Sequence, residues 1–170
     1  LSHAAMVFSH VTQKFYLFGG YRRGAATKNV ADTWELSVTG DCTSAANPCQ
    51  WSWRQLNVPS GLTCFPTCPD ARAFHGMVEA NYNNTDPTVE PDTTCSSSSP
   101  CSFGIFMEGG YNTDQTRYLS DRWMFDPTAA NGYGHWQRMG GFPPRNLAAM
   151  TTLSFQIPGS SQWVSRAILF

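Results

Sequence analysis

A chain of 170 residues with 14% charged residues and a net charge of −1 can bury a sizeable core. It offers no basic stripe to follow a phosphate backbone, which excludes nucleic acid as a natural partner. No apolar run approaches the roughly 18 residues that cross a bilayer, so no membrane insertion is expected, and the strand-like pattern already under way at Leu1 shows no leader peptide and reads as a cut end.

In chain order, period-2 alternation of apolar, aromatic and β-branched residues, broken by Gly, Pro and Asn clusters, predicts short strands. The first group covers about Ala4 to Ser9, Lys14 to Phe18, Asp32 to Ser37 and Trp51 to Leu56. The second covers about Phe74 to Ala80, Gly104 to Glu108, Arg122 to Asp126 and Trp136 to Met139. A third begins with Ala148 to Phe155 and Trp163 to Phe170. No helix-period pattern of about ten residues or more interrupts them.

The groups are copies of one another. Laying Gly19-Gly20 over Gly109-Gly110 brings Asp32 onto Asp121, Trp34 onto Trp123 and Trp53 onto Trp136. Each copy then reaches an arginine, Arg72 or Arg145, and the next copy starts with a methionine at an equivalent place, Met6, Met77 or Met150. After the second strand the chain leaves the sheet at a crowded point, where a diglycine relieves both a Cβ clash and a positive φ. The tryptophans supply large apolar areas for burial between copies.

Diglycine after strand two, two tryptophans in fixed order and a Pro-x-Arg approach to the next copy resemble the kelch repeat, and the resemblance covers almost the whole chain. It implies an all-β fold of antiparallel four-stranded blades of a kelch-type β-propeller, with strand one lining the channel and strand four outermost. Blade 1 is expected over about 1–58, blade 2 over about 72–140 and the start of blade 3 over about 146–170. Propellers close with about four to eight blades, so the ring is incomplete and needs further blades. At about 70 residues the copies exceed a lean kelch unit of about 50. The excess sits in Thr39 to Gln50 and Asn81 to Ser102.

All six cysteines fall in polar stretches outside the predicted strands, as near neighbours. Disulfides Cys42–Cys49, Cys64–Cys68 and Cys95–Cys101 are expected, with free thiols or a metal site as the alternatives. The sequon at Asn83 agrees with an extracellular or cell-surface location reached through the secretory pathway.

The search for chemistry has one route. Secreted copper radical oxidases of the galactose-oxidase type carry a similar propeller, in which a Tyr-His pair opening an inner strand ligates copper. The matching pair here is Phe74-His75, and phenylalanine cannot ligate copper. His75 is then the one candidate ligand, against a histidine that simply bonds a neighbouring blade. No GxSxG elbow, HExxH or P-loop occurs, and "NNTDPTVEPD" lacks EF-hand spacing. No catalytic residue, metal or cofactor is expected.

Binding is the better-supported role. In the kelch family the loops joining strands two and three, and those joining one blade to the next, share a rim. That rim would present Tyr21, Arg22 and Arg23, then Tyr111, Asn112 and Arg117, with Arg72, Arg145 and Asn146 from the inter-blade turns. Aromatic and arginine side chains are common binding anchors, although a recurring arginine can equally bridge blades. The leading expectation is a protein-binding or scaffolding segment of a larger extracellular glycoprotein assembly, its partner a protein or neighbouring domains of the same chain. A galactose-oxidase-like enzyme is the alternative, and a cytosolic kelch adaptor the third.

Overall fold

The computed structural model describes residues 1–40, 42, 43, 48–56, 68–82, 102–145, 150–156 and 163–169. They form antiparallel sheets. The first sheet runs β1 (Ala5–Ser9), β2 (Lys14–Phe18), β3 (Thr33–Thr39) and β4 (Gln50–Gln55) in simple order. Its register sets Val7 opposite Tyr16, Leu17 opposite Trp34 and Leu36 opposite Trp53. Alternation then divides the side chains between two faces. Val7, Tyr16 and Phe18 lie on one, Met6, Leu17, Trp34, Leu36 and Trp53 on the other.

The second sheet repeats this plan with β5 (Gly76–Tyr82), β6 (Ser102–Glu108), β8 (Arg117–Asp126) and β9 (His135–Arg145). A two-residue strand β7 (Tyr111–Asn112) folds back on the start of β8 and makes that strand longer than the alternation alone predicts. The outermost strand β9 also runs beyond Met139, through Pro143 and Pro144. Prolines are tolerated there because an outer strand has one side free of ladder hydrogen bonds. The pairing of β8 with β9 slips twice, between Leu119 and Asp121 and between Arg122 and Trp123. A third pair, β10 (Met150–Gln156) and β11 (Trp163–Leu169), forms a hairpin whose strands approach β5. Between β8 and β9 lies one helical turn, Ala129–Gly132, with Ala130 and Asn131 in left-handed backbone.

The core is the junction of the first two sheets. Tyr16, Phe18 and Leu56 of the first copy meet Ile105, Met107, Trp123, Phe125 and Trp136 of the second. Sheet register reproduces the equivalences read from the sequence: Trp53 pairs with Leu36 as Trp136 pairs with Phe125. The two tryptophans nevertheless differ in environment, Trp136 being 1% exposed and Trp53 51%. Trp136 packs against the first sheet, its ring 5.0 Å from Phe18, whereas the corresponding face of the first sheet has no sheet over it among the described residues.

The diglycines behave as the sequence predicts. Gly19 and Gly109 have φ of 67°, Gly20 113° and Gly110 101°. A Cβ on Gly19 would stand 2.5 Å from the carbonyl oxygen of Arg72, and one on Gly110 2.8 Å from that of Ala73. The same carbonyls accept backbone N–H groups here, Gly20 donating to Arg72 at 2.7 Å and Tyr111 to Ala73 at 2.8 Å. The first turn thus joins the two sheets, and the second ties the entry of β5 to the loop after β6 within its own sheet.

Candidate functional site

The loop from Gly19 to Asp32, the loop from Gly109 to Thr116 and the segment 68–75 converge on one rim, held together by backbone hydrogen bonds. Arg72 donates its N–H to Val30 at 3.3 Å, and Ala73 and Tyr111 exchange both of theirs. Tyr21 is likewise paired with Ser2. The buried side chain of Asn29 adds a cross-link, accepting from the Thr113 N–H at 2.6 Å and donating to the Tyr111 carbonyl at 3.4 Å. Asp114 reaches back the other way, its carboxylate accepting the N–H groups of Asn29 at 3.0 Å and Lys28 at 3.1 Å. Those two backbone donors, Asn29's the stronger, lower the Asp114 pKa. Two loops from different sheets therefore act as one body.

The predicted site residues divide by accessibility. Arg22 and Arg23 are exposed, with Arg22 3.3 Å from Asp32. Tyr21 and Tyr111 are half-buried, and the Tyr111 ring lies 5.0 Å from the exposed ring of Tyr118. Arg117 pairs with Asp70, both partly exposed.

Arg72 and Asn112 are internal. Arg72 is wholly buried, grips both carboxylate oxygens of Asp121 at 2.7 Å and donates to the carbonyls of Gly109 at 2.9 Å and Asp70 at 3.0 Å. Burial alone would raise the Asp121 pKa, but hydrogen bonds and charge from Arg72 hold it below its usual value. Asn112 accepts the Gln115 N–H at 3.0 Å and shapes the hairpin. Arg145 closes β9 opposite Leu119, and its side chain lies outside the described atoms. Asn146 and Asn83 lie outside the described residues, as do Cys64, Cys95 and Cys101.

Phe74 and His3 occupy equivalent places before the inner strands, and both take positive φ, 59° and 57°. Their rings stack at 4.1 Å. His75 is buried, edge-on to Phe18 at 5.6 Å, and neither ring nitrogen makes a well-aligned hydrogen bond, although the Phe18 backbone lies close enough to favour its proton. Burial first, and then the Arg72 charge, push its pKa down to about 3, so the ring is neutral at physiological pH. Among the described residues no three His, Cys, Asp or Glu side chains gather to hold a metal ion.

The opposite rim carries the Cys42–Cys49 disulfide, which closes the loop between β3 and β4. Cys68 is also disulfide-bonded, and no described cysteine is free. Disulfides favour an oxidising compartment. On the same side the exposed His10 gives its backbone N–H to Glu79 at 3.0 Å and sets its ring Nδ1 2.8 Å from that carboxylate, tying the β1–β2 turn to β5. No described helix is long and apolar enough to cross a membrane.

Sequence reasoning missed Asn29, Asp114 and Arg138. The first two were hidden because a cross-link between loops about 85 residues apart has no local signature. Comparison of the sequence with protein-family models gives no match, and no curated protein matches it.

Proposed function

We propose that the chain is a segment of a kelch-type β-propeller whose work is binding, with the rim of Tyr21, Arg22, Arg23 and Tyr111 as its contact surface. The observation that carries the reading is the locked pair of rim loops. A surface assembled from two sheets and held by Asn29 and Asp114 presents aromatic and guanidinium groups from loops whose backbones need no ordering on contact. Arg72 and Asn112 act as its scaffold.

The propeller reading is supported by the unequal tryptophans. The face of the first sheet that bears Met6, Trp34 and Trp53 corresponds, position by position, to the face by which the second sheet packs on the first. An apolar face of that kind is built to be covered, and a further blade with an aromatic residue at the Phe18 position is its natural cover. The disulfides and the Asn83 sequon fit an extracellular or cell-surface assembly.

The test is affinity capture with the intact protein, repeated after joint replacement of Tyr21, Arg22 and Tyr111 by alanine and, separately, of Thr43 and Pro48. Loss of the partner in the first variant alone is expected. Loss in the second alone would move the contact to the disulfide rim. Stoichiometric copper in the intact protein, with peroxide release from an alcohol, would replace the binding reading by the oxidase one.

A further inference from the structure

Between residues 68–70 and strands β8 and β9 lies a cleft of about 280 Å³ lined in part by Asp70, Arg117, Tyr118, Ser120, Asp121 and Arg138. Its charges are unequally committed. Asp121 is saturated, since Arg72 holds both oxygens at 2.7 Å and the Trp123 indole N–H donates to one of them at 2.6 Å. Asp70 and Arg117 form a partly exposed ion pair, of a kind that contributes little and exchanges partners easily. Arg138 is exposed and has no counter-ion among the described residues.

Comparison of the copies explains the uncommitted cation. Gln55 holds the Arg138 position in the first sheet, pairing with Trp34 as Arg138 pairs with Trp123. There Gln55 donates its amide N–H to Asp32, the counterpart of Asp121, at 3.3 Å. In the second sheet that carboxylate is already occupied, and an arginine stands where the amide stood. Plain alternation along β9 fixes its direction. Trp136 opposes Phe125, Gln137 opposes Met124 and Arg138 opposes Trp123, the ladder slip beginning only beyond them, and Met139 on the other face joins the apolar cluster of Val78, Phe106 and Met124. Directly opposed residues share a face, so Arg138, two residues after Trp136, lies on the side of Trp123 and Asp121.

We infer that the cleft is a carboxylate subsite of the rim, receiving an Asp or Glu side chain of a protein partner. Arg138 supplies the fork, Arg117 can turn from Asp70 to share the load, and the exposed ring of Tyr118, backed by Tyr111, takes the adjoining apolar part of the ligand. One free cation beside one exchangeable pair suits a single carboxylate. A polyanion would meet Asp70 and Asp121 in the same cleft. The inference rests on the rim being a binding surface and names the chemistry it recognises.

The test is a titration of the full chain followed through the arginine Nε–Hε NMR signals, with acetyl-Leu-Glu-amide as probe, acetyl-Leu-Gln-amide as its neutral twin and glucuronate as an acidic sugar. Saturable shifts at Arg138 and Arg117 are expected with the Glu peptide, at least about fivefold weaker with the Gln peptide and with Arg138→Gln, and partly restored by Arg138→Lys. Both substitutions are at an exposed site, and an unchanged amide spectrum checks that they fold. Equal affinity for the two peptides, or an Arg138→Gln variant that binds as before, would overturn the subsite. Saturation by glucuronate alone would overturn the peptide assignment in favour of an acidic sugar. Partner capture separates this from the wider reading. Capture that depends on Tyr21, Arg22 and Tyr111 but not on Arg138 keeps the rim and rejects the cleft, whereas indifference to the rim residues rejects the rim itself.

Discussion

Trp136 donates its indole N–H to the hydroxyl of Thr33, 3.0 Å away, across the junction of the two sheets. Both are buried, and they are 103 residues apart in sequence. The bond orients the largest fully buried side chain of the described core, so that its ring meets Phe18 and Phe125 at 5.0 Å each. Trp136→Ala is expected to cost about 3–5 kcal/mol in denaturant unfolding, through lost contact area and a cavity. Thr33→Val, which leaves the indole N–H without its acceptor, should cost about 1–2 kcal/mol. Equal small losses for both would mean that the junction is not the core.

The Arg72–Asp121 pair supports a contrast between single and double replacement. Arg72→Met leaves a largely buried carboxylate without its partner and should cost about 3–5 kcal/mol. Adding Asp121→Leu removes that stranded charge and should recover a large share of the loss. A double variant as unstable as Arg72→Met alone would show that the carbonyl bonds to Gly109 and Asp70, rather than the ion pair, carry the stability.

Stability should fall on acidification before the carboxylates titrate. His75 is held neutral with a pKa near 3 in the folded state, while the unfolded chain takes up the proton near 6.5. The unfolded state binds more protons throughout that interval, so stability is full above pH 6.5 and declines as pH falls towards 3, by about 4 kcal/mol at the lower end. Asp121, with its folded pKa lowered, adds its own loss only below its ordinary value of 3.8. His75→Leu should flatten unfolding free energy between pH 4.5 and 6, roughly the window in which the histidine acts alone. An unchanged slope would place the proton uptake elsewhere.

Two glycines with positive φ should respond differently to the same change. Gly110→Ala combines a φ of 101° with a Cβ 2.8 Å from the Ala73 carbonyl oxygen, and is expected to cost about 3 kcal/mol or more. Gly24, with a φ of 80°, has open space around the added atom, so Gly24→Ala should cost only about 1 kcal/mol. Thermal unfolding of the pair separates crowding from backbone preference.

Removing the Cys42–Cys49 disulfide by double replacement with serine should lower stability by about 2–3 kcal/mol, the scale set by closing a short loop in the unfolded chain. Non-reducing peptide mapping of the whole chain should recover that link together with Cys64–Cys68 and Cys95–Cys101. Peptides joining different loops would show the local pairing to be wrong.

Strand positions were legible in the sequence because alternation and diglycine breaks are local properties of the backbone. β2 is found at Lys14–Phe18 as expected, and every other strand except the two-residue β7, which was not expected, overlaps its expected span. The fate of individual side chains was not legible, since burial is decided by what a distant element brings. Trp53 and Trp136 have the same place in the repeat and opposite exposure because, among the described residues, a sheet lies over only one of them. Arg72 has the composition of a binding residue, yet Asp121 and two carbonyls take up its donors in the interior. Arg138 shows the converse. Nothing in its neighbours along the chain marks it, and it stands uncommitted because the carboxylate on its side of the sheet, Asp121, is already filled by Arg72 and Trp123. The sequence by itself determined the repeat and its strands through local backbone chemistry, and the tertiary structure alone decided which charges are spent within the fold and which stay exposed, because that depends on pairing between residues far apart in the chain.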